Sequence, residues 1–377
     1  MGHPDGSTSD RLQTAQLLAL AREVDASVTE RTLEFWRHQG LLPRPERSGQ
    51  NGKTPLWTYA PEAANQLQAL LRLRAQTKDP DVLRAALWYD GYVIETARVR
   101  SSISAYLRHL RDSCEKELAK RSSATDDPEA RWQAVRAVAE LMAKKRGKGF
   151  PRLSRQVLSE RTDAIALTLG LVLGDERATQ HLEADGPAVE RLIGVDRGRR
   201  FRPAGAGPWL DGPAGEGLAS FAQMGSLPRL IAVVGAAPDE QLEVARDLGR
   251  TFLGGVSAFS RIADSMVGRD NASGMGGMRM LDGDAHAALF IVPLVLSILT
   301  SSELAQNLGQ VLTAIQSNVL PLERQAKELA ALSEQERAER LNKLAELPFV
   351  EQVRIKRLLV EFSGDAEQAA PRGHARR

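Results

Sequence analysis

The sequence predicts a mainly α-helical protein in which one short hairpin near residue 50 is the clearest β-structure. Apolar residues recur with a helical period through most segments between residues 12 and 362. Pro43, Pro45 and the pair Asn51-Gly52 interrupt this pattern with signals typical of a hairpin. A length of 377 residues exceeds one ordinary hydrophobic core, so two or three domains are expected.

The composition is that of a folded protein and excludes several classes of site. Hydrophobic residues make up 42% and charged residues 26%, which distinguishes the chain from a disordered one. The single cysteine, Cys114, excludes an intramolecular disulfide and a cysteine-cluster metal site within one chain. The longest apolar run, 287–299, is too short to span a bilayer, and residues 1–10 contain no secretory signal pattern. We therefore expect a cytoplasmic protein without a membrane partner.

The N-terminal segments predict two helices joined by a tight turn. Residues 12–24 place their apolar side chains on one helical face, and residues 28–39 form a second, shorter amphipathic helix. Ser27 or Thr29 can cap this second helix, and Gly40 stands where a helix commonly stops. A short second helix with one polar side is typical of a helix-turn-helix.

A wing, meaning a basic hairpin that follows the second helix, is predicted for residues 41–59. Asn51-Gly52 is expected at its turn, and residues 56–59 form its returning strand. Two further helices, starting near Pro61 and Pro80, complete a predicted domain at 11–92. Between Arg11 and Lys78 there are ten Lys or Arg against six Asp or Glu, compared with a net charge of +2 for the whole chain. This local excess favours a polyanionic partner.

Four short motifs follow one another within residues 12–92. They are VTERTLEFW at 28–36, GLLP at 40–43, WTY at 57–59 and APE at 60–62. In this order they resemble the winged helix-turn-helix of the MerR family of transcriptional regulators. The resemblance covers only this part of the 377 residues.

The resemblance implies a homodimer that binds double-stranded DNA and distorts a promoter so that RNA polymerase engages it. It also implies that the second helix and the wing contact the DNA. The expected contacts are Thr29, Arg31, Thr32, Phe35, Arg37, His38, Arg44, Arg47, Lys53 and Tyr59.

Two positions depart from the family pattern. The family usually has arginine where this chain has Glu34 and tyrosine where it has Phe35. Each change removes an expected contact with backbone phosphate. Either the helix docks differently on DNA, or Arg31, Arg37 or His38 holds Glu34 at helical spacing.

A long helix at 97–120, within a predicted segment 93–124, is the candidate dimerisation element. Its apolar stripe has coiled-coil-like spacing and consists of Ile103, Leu107, Leu110, Cys114 and Leu118. The alternative is that this stripe packs on another part of its own chain. Cys114 is interpreted as a small buried hydrophobe, with a disulfide to a second copy as the alternative.

Residues 125–363 are predicted to form an all-α sensing or assembly domain that binds an unknown small-molecule or protein effector. Its expected helices include a long one at 238–267 broken at Gly254-Gly255, and a buried one at 285–299. The remaining expected helices are at 128–146, 153–173, 179–193, 304–320, 322–332, 333–347 and 350–362, and the tails 1–10 and 364–377 are expected to be disordered.

No pattern in residues 125–363 indicates catalysis, so neither an enzyme nor a cofactor is predicted. The six histidines are scattered, and neither a phosphate-binding glycine loop nor a nucleophile motif occurs. Met275, Met278 and Met280 lie in a glycine-rich loop, where their spacing is suited to a soft metal together with His286. A flexible flap is the favoured interpretation of that loop.

The function expected from the sequence is therefore a sequence-specific, nucleoid-associated transcription regulator. The alternative is a DNA-associated assembly or partition-type protein. In that case the winged helix binds DNA non-specifically or binds a protein.

Overall fold

The structure, a computed structural model, describes residues 11–51, 54–121, 127–144, 155–182, 224–267 and 283–321, with a few positions between 323 and 336. Within these residues it contains twelve α-helices, one π-helical turn and a three-stranded antiparallel sheet. The prediction of a mainly α protein with a small N-terminal β element is confirmed.

The elements alternate between helix and strand only at the N-terminus. In chain order the first are β1 Leu12–Gln13, α1 Thr14–Val24, α2 Glu30–His38, β2 Glu46–Asn51, β3 Thr54–Tyr59, α3 Glu62–Arg74, α4 Pro80–Tyr89 and α5 Thr96–Ala119. The helices that follow are α6 Pro128–Lys144, α7 Arg155–Leu173, α8 Glu176–Gln180, α9 Leu227–Ala236, α10 Asp239–Val267, α11 Ala287–Leu299 and α12 Ser302–Ala314, with the π-helical turn at Ile315–Val319.

The chain divides into two compact units that are not continuous in sequence. Unit 1 comprises Met1–Lys116, Leu227–Asp247 and Gly283–Leu296. Unit 2 comprises the remainder, Glu117–Ser226, Leu248–Asp282 and Ser297–Arg377. This grouping differs from the predicted linear order of domains, because two segments beyond residue 226 pack with the N-terminal elements.

The sheet of unit 1 confirms the predicted hairpin and adds one strand to it. β3 lies between β1 and β2, with Leu12 opposite Tyr59 and Glu46 opposite Thr58. Asn51 pairs with Thr54, and Gly52, the second residue of the predicted turn, lies outside the described residues. β1 was not predicted, because two residues are too few to show a strand period. Lys53 lies outside the described residues.

The second helix, α2, begins two residues later than predicted. Thr29 is its N-cap and accepts a hydrogen bond from the Thr32 amide at 3.2 Å. Ser27 instead donates its hydroxyl to the Asp25 carboxylate at 2.6 Å, so the expected cap by Ser27 is not formed. Gly40 ends the helix as predicted, with a φ of 69° that favours glycine.

The core of unit 1 lies between α1, α2, α3 and α4. The predicted inward faces of α2 and α3 are buried, whereas Val24, expected on the inner face of α1, is exposed. Arg74 of α3 lies over the Trp36 ring at 4.8 Å. The largest buried side chains of these four helices are Leu17, Leu33, Trp36, Leu67, Leu70, Leu83, Leu87 and Trp88.

The later segments of unit 1 are bound to α5 and to Gln76, just after α3, by polar and aromatic contacts. Arg100 donates to the Ala237 carbonyl at 2.9 Å and pairs with Asp239. Gln76 donates to the Gly283 carbonyl at 3.0 Å and accepts from the Ala285 amide at 2.9 Å. Tyr106 contacts Phe290 edge to face at 5.8 Å. These contacts tie residues far apart in sequence into one unit.

Unit 2 contains a helical cluster of α6, α7 and α8 and a tight approach between α10 and the π-helical turn. Trp132 of α6 stacks on His181 with ring centroids 4.7 Å apart. The predicted break in 238–267 is wrong, because α10 continues through Gly254 and Gly255.

The predicted helix at 285–299 is confirmed as α11, none of whose residues is exposed. Most of this helix belongs to unit 1.

Several expectations concern residues outside those described. They are the glycine-rich loop with Met275, Met278 and Met280, residues 183–193 of the helix expected at 179–193, the tails 1–10 and 364–377, and most of 322–363. Among the described helices, none combines the length and apolarity needed to cross a membrane. The same part of the chain contains no group of three His, Cys, Asp or Glu side chains placed to hold a metal ion.

Candidate nucleic-acid interface

The outer face of α2 is polar and turned to solvent. Leu33 and Trp36 are buried beneath it, so helical geometry places Arg31 and Glu34 on the opposite side. Phe35 is 51% exposed, which is unusual for an aromatic side chain that packs only against its own chain. The face is electrically balanced, because Glu30 and Glu34 offset Arg31 and Arg37.

Glu34 faces solvent, and none of the neighbours that were expected to hold it does so. It forms no ion pair or hydrogen bond with any described residue, and Arg31 is equally exposed. The ion pair with Arg31, Arg37 or His38 that was one explanation for this acidic residue is therefore not formed. An unpaired carboxylate facing DNA is repelled by phosphate and accepts hydrogen bonds from base amino groups.

Tyr59 orients an arginine and is itself buried. Its side chain is 1% exposed, and its hydroxyl accepts a hydrogen bond from Arg37 Nη1 at 3.1 Å. The sheet places it there, since β3 ends at Tyr59 beside α2. Tyr59 is therefore too buried for the direct DNA contact that the resemblance implies, and its hydroxyl instead fixes the direction of Arg37.

The hairpin carries two exposed arginines, Arg44 before β2 and Arg47 within it. Arg47 lies opposite Trp57, which is 48% exposed. The pairing is irregular between Arg47 and Gly49, which marks a bulge that bends the strand. Glu46 is neutralised by Arg11 at 2.9 Å, so this carboxylate does not cancel the charge of the two arginines.

Two arginines from distant helices hold the carboxyl end of α2. Arg84 of α4 is 8% exposed and donates to the Gln39 carbonyl at 3.0 and 2.8 Å. Arg98 of α5 donates to the His38 carbonyl at 3.2 Å. Helix-terminal carbonyls need such donors, and cations are favoured at this negative end of the helix dipole. Neither arginine could be recognised from the sequence, because they lie 45 and 60 residues from these partners.

A groove of about 340 Å³ opens where α2, the start of the hairpin and the start of α5 meet. Its charged side chains are Arg37, Arg44, Arg98 and Glu95, which gives it a formal charge of +2. A larger groove of about 1110 Å³ runs along α3. Its charged side chains, Glu62, Arg72 and Asp90, sum to −1, so the smaller groove is the better match to an anion.

The predicted dimerisation stripe is largely occupied within one chain. Ile103 and Leu107 are fully buried and Leu118 is nearly so, whereas Leu110 and Cys114 are half-buried. Burial, and then the neighbouring Glu115 carboxylate, raise the pKa of the Cys114 thiol. This thiol is therefore less nucleophilic than an exposed one at neutral pH.

Comparison with protein-family models, with curated proteins and with solved structures finds no match to this chain. The case for a function accordingly rests on the residues of unit 1.

Proposed function

We propose that the protein is a sequence-specific DNA-binding transcription regulator of the MerR type. The observation that supports it best is the exposed polar face of α2 beside a hairpin with exposed Arg44 and Arg47. An α-helix fits the width of the major groove, where base edges are distinguishable. Arginines on a flanking hairpin bind backbone phosphates and so fix the position of the helix.

In this proposal the residues of α2 have different roles. Arg31 is exposed and without a partner among the described residues, so it is available to a base edge. Arg37 is held by Tyr59 and contacts DNA from a defined direction. Thr29 and Thr32 are engaged with each other at the amino end of the helix. Glu34 reads a cytosine amino group.

Dimerisation and control belong to the same proposal. One winged helix contacts too few base pairs for high selectivity, so two copies bind together, with α5 as the dimerisation element.

A ligand or partner of the C-terminal region then changes the balance between relaxed and distorted DNA, and RNA polymerase responds to the distorted form. The contacts of residues 237–239 and 283–290 with α5 and with Gln76 supply a physical route for this control.

Substitution of Arg31 tests the proposal. DNA that the protein retains from a random pool is sequenced, and its affinity is measured by fluorescence anisotropy against a scrambled duplex. We expect Arg31→Ala to lower the affinity for the selected site by about 1–3 kcal/mol and the affinity for scrambled DNA much less. Arg37→Ala should reduce both.

The control is Arg108→Ala, which removes an exposed arginine from α5 outside the groove and the outer face of α2. It should leave both affinities unchanged. If the protein selects no sequence, or if Arg31→Ala and Arg37→Ala both keep full selectivity, α2 is not a recognition helix.

The exposed Phe35 and Trp57 favour a second candidate function. Aromatic side chains 51% and 48% exposed, together with the unpaired Glu34 next to Phe35 in the sequence, are also suited to a protein partner. In that case the protein is an assembly or partition-type factor whose winged helix binds a protein partner or binds DNA non-specifically. Sedimentation velocity distinguishes the two, since a regulator gives discrete dimers and an assembly factor gives polymers that lengthen with concentration.

A further inference from the structure

We infer that the groove between Arg37, Arg44 and Arg98 binds a phosphate of the DNA backbone. This inference rests on the proposed function and extends it, because it adds α5 to the elements that contact DNA. Arg98 belongs to the helix expected to serve dimerisation and lies outside the winged helix.

The guanidinium groups of the groove are positioned but not saturated. Arg37 uses Nη1 to bind the Tyr59 hydroxyl at 3.1 Å. Arg98 uses Nε to bind Glu95 at 2.8 Å and Nη1 to bind the His38 carbonyl at 3.2 Å, which leaves its Nη2 without a partner among the described residues. Arg44 is exposed and has no such partner. A guanidinium held by one edge keeps N–H donors for an oxyanion at the other.

The charge balance of the groove favours an anion despite its position at the carboxyl end of α2. The dipole of a helix contributes about −0.5 charge at that end. The groove side chains contribute a formal charge of +2, which is four times larger and of opposite sign. In addition, Arg98 and Arg84 already neutralise the carbonyls of His38 and Gln39. The net field therefore attracts a negative group.

The shape and surroundings of the groove point to a phosphodiester. It is open, and its volume of about 340 Å³ exceeds that of one phosphate group. Its walls come from α2 and the residues before β2, the two parts of the chain proposed to lie on DNA. A backbone phosphate beside the major groove meets both walls when α2 enters that groove.

The test measures how DNA affinity depends on salt between about 50 and 200 mM for the wild-type chain, Arg98→Ala, Arg44→Ala and the control Arg108→Ala. Each phosphate contact contributes about 0.9 to the slope of log affinity against log salt. We expect Arg98→Ala and Arg44→Ala each to lower the slope by about 1 and to weaken selected and scrambled duplexes equally. Arg108→Ala should keep the wild-type slope, although it removes the same charge about 15 Å further along α5.

Further measurements separate a phosphate contact from a structural role. Arg98→Lys retains the charge and should restore most of the slope, whereas a purely structural role at the His38 carbonyl predicts no difference in slope between Arg98→Ala and wild type. Arg44 has no partner to lose, so Arg44→Ala should keep the wild-type melting temperature. If the wild-type protein binds DNA and both alanine variants keep its slope, this inference is overturned and the proposed function is not. Absence of DNA binding by the wild-type chain would overturn the proposed function as well.

Inorganic pyrophosphate at constant ionic strength distinguishes the two sources of phosphate. Competition with DNA in the wild-type chain at micromolar concentration, lost in Arg98→Ala, would show that the groove takes a free ligand and would overturn the assignment to the DNA backbone. The absence of such competition supports the backbone assignment.

Discussion

Gly254 and Gly255, which are adjacent in α10, differ in the space available for a side chain. A Cβ added at Gly255 would lie 2.2 Å from Ile315 Cγ2 and 2.8 Å from its Cδ1, both too short for a stable contact. A Cβ added at Gly254 would meet nothing within 4 Å. Gly255 thus permits the π-helical turn to approach α10, whereas Gly254 only increases the entropy of the unfolded chain.

These glycines give a matched pair of substitutions. Gly255→Ala should lower the free energy of unfolding by about 1–3 kcal/mol, because Ile315 or the backbone must move. Gly254→Ala should leave it unchanged or raise it by up to about 1 kcal/mol, because alanine is the better helix former. Urea denaturation followed by circular dichroism measures both. Equal effects of the two substitutions would contradict the close approach of α10 and Ile315.

The short helix α2 depends on residues outside itself. Nine residues are too few for an isolated helix to be stable in water, so caps and packing must maintain it. Thr29 and Thr32 satisfy its amino end, Gly40 turns the chain at its carboxyl end, and Arg84 and Arg98 satisfy the carbonyls there. The outer face of α2 is consequently free of any structural task.

The amino-terminal cap of α2 can be tested by comparing two hydroxyl residues. Thr29→Ala should lower the free energy of unfolding by about 1 kcal/mol, because the Thr32 amide loses its acceptor. Ser27→Ala should have a smaller effect. Ser27 binds the exposed Asp25 carboxylate, where its hydrogen bonds lower the Asp25 pKa. A larger loss in Ser27→Ala, measured by the same urea titration, would assign the cap to Ser27.

Within unit 1 two helices, α4 and α5, each meet both the end of α2 and the later segments of the chain. Arg84 of α4 bonds to the Gln39 carbonyl, and Arg246 lies over the Trp88 ring of the same helix. Arg98 bonds to the end of α2, Arg100 pairs with Asp239, and Tyr106 packs against Phe290. These two helices therefore provide the contacts through which a displacement of the later segments reaches α2. This arrangement is what the proposed regulation requires.

The oligomeric state provides a prediction for the whole protein. We expect a homodimer in sedimentation equilibrium, formed through the half-buried part of α5. Leu110→Glu should give folded monomers, because it places a charge where the two copies meet. Ile103→Glu is the contrasting variant and should unfold unit 1, because Ile103 is fully buried within one chain. Folded Leu110→Glu dimers would move the interface away from this stripe.

Local patterns predicted the individual elements well. The helical period identified α1 to α5, the proline and glycine signals identified the hairpin, and Gly40 marked the end of α2 as observed. Two predictions of elements failed. The strand β1 was missed because two residues show no period. The break at Gly254-Gly255 was wrong because the sequence does not show that Ile315 lies against Gly255. A glycine pair breaks a helix only when no packing partner compensates, and Ile315 lies 60 residues away.

Element type, capping and the local positive charge were therefore decided by the sequence, because they depend on residues a few positions apart. Tertiary structure alone decided which side chains meet at the carboxyl end of α2. Arg84 and Arg98 bond to its carbonyls, and Tyr59 orients Arg37, only because α4, α5 and β3 converge there. Such contacts join residues 22 to 60 positions apart, and packing of the shared core selects them.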